Sequence, residues 1–442
     1  MSRRSLLLTV VSMLMSANPG LAQSARQRAK AMDPQAGSAI FVHPDGSSVA
    51  AWTAMRLLAV GPDGQLNWDR LEYLGVYRGH LTNSLGSTSH GGATAHAFGV
   101  KVPFDSYGMY GTEPLTSLSG KPYSVMKEAQ EAGLATGIIN SGHLAEPGTG
   151  VFVASVESRA AVEEITSQIV ESGTDIILGG GEALLLPTDV AGRHGVWGIR
   201  RDGLNLVERA EELGYTVVYT RQELQDLPSS TEKVLGLFAP SHTFNDRSEE
   251  ELSVLGEVPL YRPDAPSVAE MLAVTLRLLE AKGKRFLLVV EEEGSDNFAN
   301  HNNAVGTLTA LARADTAVGV ALDYISDHPS TLLVLAADSD AGGLEVKPVT
   351  DPSAFVLPLD LITRNGSPLD GPDGSGSLPF VAQPDRLGNR LRFGIAWADY
   401  EDLLGGIVAR AHGLNAELLP TTVDNTDIYR LLYATVFGEW LQ

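Results

Sequence analysis

The sequence predicts an α/β fold: a doubly wound, mostly parallel central sheet flanked by helices. Three observations carry this. Short apolar runs recur along the 442 residues. Each is continuously hydrophobic rather than alternating, as strands buried on both faces are. Helical patterns separate them, giving the strand–helix alternation of a covered parallel sheet.

Each run breaks into a polar or glycine-rich segment. Ala39–Val42 runs into Pro44-Asp45-Gly46, and Leu134–Asn140 into Ser141-Gly142-His143. Asp175–Leu178 meets Gly179-Gly180-Gly181, and Thr216–Tyr219 meets Thr220-Arg221-Gln222. Arg285–Val290 ends in Glu291-Glu292-Glu293-Gly294, and Thr331–Ala336 ends near Asp338-Ser339-Asp340. The expected helices are Val125–Ala132, Ala160–Glu171, Leu204–Leu213, Val268–Lys282, Ala304–Ile325 and Thr426–Phe437. A Gly/Pro/Ser-rich stretch, Asn365–Phe380, predicts an insertion near residues 345–395.

The amino terminus predicts an export signal over residues 1–22. Arg3-Arg4 precede the apolar run Leu6–Met15, and Gly20-Leu21-Ala22 resembles a small-residue cleavage site. The adjacent arginines fit a general secretory signal and a twin-arginine signal equally. No later apolar run is expected to span a bilayer, so the mature chain should be periplasmic or secreted. It contains no cysteine, so disulfides are excluded and any metal must be held by oxygen and imidazole nitrogen. The net charge is −22, and loss of the two arginines makes it −24. Nucleic acid and anionic membrane are thereby excluded as partners.

The stretch Thr88-Ser89-His90-Gly91-Gly92-Ala93-Thr94 places a hydroxyl before two glycines and a small-residue helix. At a helix N-terminus Ser89 would face backbone N–H groups that favour an anion and lower the cost of an alkoxide. In parallel sheets chemistry gathers beyond the carboxyl ends of the strands. That rule selects Asp45, Glu146, Glu291, Asp296 and Asp338, five carboxylates on one rim. Mutually repelling carboxylates need cations or shared protons, so the pattern points to a multi-metal site.

These segments resemble the alkaline phosphatase family over nearly the whole mature chain. The likeness is carried by Phe41-Val42-His43-Pro44-Asp45-Gly46, the run Gly91 to Lys101, and Ile177-Leu178-Gly179-Gly180-Gly181-Glu182. Leu235 to His242, Glu270-Met271, Ala336 to Leu344 and Val423 to Tyr429 continue it in the same order. The resemblance implies one catalytic domain over residues 23–442, hydrolysis of small phosphorylated substrates with divalent metals, and a homodimer. It also implies that Ser89 is the nucleophile, Arg159 holds phosphate, and Asp45 bridges two metals. Glu146 and Glu291 fall on magnesium-site positions, Asp296 on one zinc-type site and Asp338 on the other.

Several positions depart from the family. Thr88 stands where the family has Asp, and Glu146 replaces its Thr ligand. Asn300 and Ser339 occupy two positions where histidine is expected, and the third histidine is missing near Asp399-Tyr400. His301 lies one step late, a rotation of roughly 100° on a helix. One reading is a site rebuilt from oxygen donors (Asp45, Glu146, Glu291, Asp296, Asn300, Asp338, Ser339 or Asp340, with Asp399). Such donors favour Mg²⁺, Ca²⁺ or Mn²⁺ over Zn²⁺. The other is a non-catalytic metal- or phosphate-binding relative, and a hydrolase of diesters or sulfate esters is a further alternative. For His43, His90 and His143 both ligand and packing roles are open. His96, His194, His242, His328 and His412 carry no argument beyond packing.

Overall fold

Ten strands form one sheet in a computed structural model that describes residues 33–256, 259–350, 363 and 366–442. The strands are β1 (Ser38–Pro44), β2 (Tyr73–Arg78), β3 (Ala135–His143), β4 (Ile176–Gly180), β5 (Thr216–Val218), β6 (Val234–Leu237), β7 (Phe286–Glu292), β8 (Thr331–Leu335), β9 (Val408–Gly413) and β10 (Thr422–Asp424). Their order is β10-β2-β9-β8-β1-β7-β3-β4-β6-β5. Only β9 runs against the rest, antiparallel to both β8 and β2. The six strands expected from sequence are all present. β2, β6, β9 and β10 were not expected: β6 is a four-residue Val-Leu-Gly-Leu run, most of β2 is exposed, and β9 and β10 are short of continuous apolar runs.

The helices that position the site are α1 (Val49–Ala59), α2 (Ser89–Phe98), α3 (Val125–Glu131), α4 (Val162–Glu171), α5 (Leu206–Glu212), α6 (Val268–Ala281), α7 (Gly294–Asn300), α8 (Ala304–Asp327) and α9 (Asn425–Phe437). Side chains of α2, α3, α4, α5 and α9 build one core face, and those of α1, α6 and α8 the other. Alternation along each strand supplies both faces. In β1, Ala39 and Phe41 enter the first core while Ile40 and Val42 enter the second.

Two sequence expectations are modified. By length and composition α8 is apolar enough to cross a membrane. Apolar stretches that each look short in sequence add up over its 24 residues, and 56% of its apolar window is buried, with α6, α7 and α1 packed on it. The predicted insertion forms, in its described part, a small antiparallel sheet of Glu345–Pro348, Asp370–Gly371, Gly374–Ser375, Phe380–Val381 and Arg392–Ala396. The predicted signal at residues 1–22 lies outside the described residues.

Candidate active site and metal centre

Strand parity decides which way each rim side chain points. Phe41, Ile138, Val289 and Val334 all lie in the core that contains α2. Residues at even separations within the strands therefore face α2: His43, Asn140 and Glu291; Asp45, Glu293 and Asp338 lie buried just beyond the strand ends. Glu292 has the opposite parity. Its Oε1 accepts from Ser141 Oγ at 2.7 Å and Tyr261 Oη at 2.8 Å, away from the cluster.

Asp45 is the hub. Oxygen and nitrogen atoms of His43, Asp45 and Glu291 lie within 4.8 Å of one another, and so do those of Asp45, Glu293 and Asp296. Asp45 belongs to both groups, and every member is buried. The turn after it needs glycine: Gly46 has φ +62°, and a Cβ there would sit 2.5 Å from Asp296 Oδ1.

Asp296 sits in the first turn of α7. One turn later Asn300 Nδ2 donates to Asp296 Oδ2 and to Asp402 Oδ1, both at 3.0 Å. His301 turns outward, its Nδ1 2.8 Å from the Asn297 carbonyl. Asp402 arrives because Asp402–Leu403 pairs antiparallel with Asp340–Ala341, just past the buried Asp338 and Ser339. Asp399, the sequence candidate for that place, is exposed, and its Oδ1 accepts from the Tyr400 N–H.

Glu146 builds a neighbouring cluster. Its Oε1 lies 3.0 Å from His143 Nε2 and 3.7 Å from His242 Nε2, and its Oε2 accepts from Arg159 at 3.2 Å. The two imidazoles are stacked, with centroids 4.7 Å apart. Arg159 precedes α4; burial opposes its charge, yet Glu146, Glu293, Asp296 and Asp45 outweigh this and raise its pKa.

Ser89 opens α2. Thr88 is the N-cap: its backbone is extended and its Oγ1 accepts from Gly91 N–H at 3.2 Å. The cap leaves Ser89 at the positive end of the helix dipole. Gly92 in the same turn allows close approach, since a Cβ there would lie 2.7 Å from Asp338 Cβ. The helix ends at left-handed Gly99, where Tyr429 of α9 packs. Burial, reinforced by Arg159, lowers the pKa of His90 to about 4, so this ring stays neutral.

The acids are poised for cations. Burial, with Asp45 and Glu146 nearby, pushes Glu291 up to about 8. Burial and neighbouring carboxylates also raise Glu293, Asp296, Asp338 and Asp402. Burial opposes the charge on Glu146, yet His143, His242 and Arg159 outweigh it and hold Glu146 at about 2. Asp45 is lowered because His43 outweighs its burial. Asp45 Oδ2, Glu291 Oε1, Glu293 Oε2, Asp296 Oδ1 and both oxygens of Asp338 are buried without a hydrogen-bond partner. Buried oxygens rarely stay orphaned, and divalent cations would satisfy these, so the donor set fits such ions.

Glu293, Asp402 and His242 join these clusters beyond the residues predicted from sequence. The acidic run at the end of β7 was the available signal for Glu293. Asp402 and His242 arrive through long-range pairing and packing that leave no local pattern.

Residues 38–358 match the family model described as alkaline phosphatase. The chain belongs to the alkaline phosphatase family. It is similar to the alkaline phosphatase of Escherichia coli K12, with 26% identity over 384 residues and 78% of each chain covered. The alkaline phosphatase of Gadus morhua is 26% identical over 331 residues, covering 66% of this chain and 67% of that one. The alkaline phosphatase of Thermus thermophilus has the same fold: TM-score 0.70, 22% identity, 93% of this chain and 94% of that one. The protein is therefore a hydrolase of the alkaline phosphatase superfamily, and members of the family bind divalent metal ions.

Proposed function

We propose that this chain hydrolyses phosphate monoesters through a phosphoserine at Ser89, with divalent metals held by the acid cluster. One observation carries the reading: buried, partnerless carboxylate oxygens gather at the ends of β1, β7 and β8, against the N-terminus of the helix that Ser89 opens. Asp45, Glu291, Glu293, Asp296, Asp338 and Asp402 would hold the metals. When bound, those ions neutralise phosphate charge and stabilise the attacking and leaving oxygens.

The chain's own residues do the rest. Ser89 Oγ attacks phosphorus and expels the alcohol, and water then cleaves the phosphoserine to release inorganic phosphate. The α2 dipole favours the approaching anion, and neutral His90 adds no charge beside it. Arg159 has a planar fork suited to two phosphate oxygens. A cleft of about 310 Å³ lined by Tyr77, Arg78, His80, Leu85, Leu403 and Leu404 reaches Asp338. The predicted signal supports a periplasmic or secreted site of action.

The test is hydrolysis of a chromogenic phosphate monoester by metal-stripped protein resupplied separately with Mg²⁺, Mn²⁺, Ca²⁺ or Zn²⁺. A phosphodiester and a sulfate ester are assayed in parallel. Monoester turnover restored by metal is the expected result. Faster turnover of the diester or sulfate ester reassigns the substrate, and binding without any turnover makes the chain a non-catalytic relative. Within the proposal, Arg159→Ala is expected to lower kcat/KM by about 10–100-fold, from the loss of a charge-assisted hydrogen bond worth about 1.5–3 kcal/mol. An unchanged kcat/KM would remove Arg159 from the phosphate site.

A further inference from the structure

We propose that His43 is a nitrogen ligand in the metal centre, supplied from a strand position that none of the family's histidine positions occupies. The inference rests on the metal-dependent reading above and deepens it by naming the class of metal.

The ring is fixed in one orientation. His43 lies on β1, fully buried, with Phe41 and His96 packed against it at centroid distances of 5.6 Å each. Its Nδ1 lies 2.8 Å from the carbonyl of Ala336, the residue just past the end of β8. A carbonyl only accepts, so Nδ1 donates to it, and Nε2 is the ring atom left for a metal to meet. Metal-bound imidazoles are oriented in this way, donating through the other nitrogen to a carbonyl or carboxylate.

That nitrogen faces the acids. Nε2 lies 3.2 Å from Asp45 Oδ1 and 4.0 Å from Glu291 Oε1. It is buried and has no hydrogen-bond partner, and Glu291 Oε1 and Asp45 Oδ2 are in the same condition. Two carboxylates and one imidazole therefore converge from β1 and β7, which are hydrogen-bonded neighbours in the sheet. Strand register places this imidazole, since His43 pairs directly with Glu291.

One nitrogen donor changes the metal preference. Mg²⁺ and Ca²⁺ favour all-oxygen sites, whereas imidazole suits transition ions. The site of His43, Asp45 and Glu291 is thus expected to prefer Mn²⁺, Co²⁺ or Zn²⁺ to Mg²⁺ or Ca²⁺. The competing role for His43 is a protonated partner of Asp45 that touches no metal.

The experiment uses full-length protein stripped of metal and loaded with Mn²⁺. Electron spin-echo spectroscopy reads directly bound ¹⁴N, and titration calorimetry gives Mn²⁺ and Mg²⁺ affinities. The wild type should show imidazole coupling. His43→Gln should abolish the coupling and narrow the Mn²⁺/Mg²⁺ affinity ratio by at least ~10-fold, the lower end of what loss of even an outer metal partner costs. The double variant His143→Gln/His242→Gln should retain it. The wild-type spectrum needs no variant to fold, so it tests the proposal alone if His43→Gln fails to fold. Mn²⁺ bound without nitrogen coupling would overturn the proposal and leave His43 as the partner of Asp45, with the metal-dependent reading intact. Coupling lost in the double variant but kept in His43→Gln would overturn it in favour of the Glu146 cluster. No metal bound by the wild type would overturn both readings.

Discussion

Ser89→Ala is expected to abolish phosphate monoester turnover while leaving the fold intact. The loss should exceed the ~10²–10³-fold that removing one positioned hydrogen-bond donor costs, because the atom that forms the covalent bond is gone. Structure should survive, since Thr88 rather than Ser89 caps α2 and alanine is the better helix former. Acid quenching of the wild type during turnover of ³²P-labelled ester should trap label on the peptide containing Ser89. The variant should trap none. Turnover by Ser89→Ala within tenfold of wild type would sink the nucleophile assignment, and label trapped on another residue would relocate it.

Metal removal should abolish activity and make stability fall as pH rises. Glu291, Glu293, Asp296, Asp338 and Asp402 are raised by burial and by one another, Glu291 to about 8. A carboxylate raised in the folded state contributes stability that is full below its unfolded pKa near 4 and is lost as pH climbs through its folded value. Metal-free protein should therefore lose melting temperature between pH 5 and 8. Glu146, held at about 2, acts on the other side and loses its contribution in strong acid. Cations replace the protons, so the loaded protein should show little of the decline. A metal at a hundred times its Kd adds about 2.7 kcal/mol per site. Thermal melts of stripped and reloaded protein from pH 5 to 8.5 decide the matter. A stripped melting temperature that stays level or rises with pH would refute the account.

Much of this was legible in the sequence because apolar strands and rim acids leave local signals. β1, β3, β4, β5, β7 and β8 each read as a short apolar run, and five of the acids follow such runs directly or at a short distance. The unread parts depend on partners distant in the chain. β2 is mostly exposed, so it lacks a continuous apolar pattern. Asp402 reaches Asn300 only through a two-residue pairing with Asp340–Ala341. His242 gains meaning only where it stacks on His143. Glu293 stands in a run of three glutamates, and its inward side depends on the turn from β7 into α7, which leaves no period in the sequence.

The antiparallel strand β9 of the ten-stranded sheet has a consequence for how the molecule is made. A ribosome releases β2 early, yet both sheet neighbours of β2 are β9 and β10. The residues that pair with it, such as Val408 with Val76, are made roughly 330 positions later. Until then β8 also presents an unpaired edge, because β9 is its outer neighbour, and α2 lacks the α9 surface that packs on it. Nascent chains that end before residue 408 should therefore carry open strand edges that recruit other chains. The helix bearing Ser89 gains its full support only once α9 has emerged.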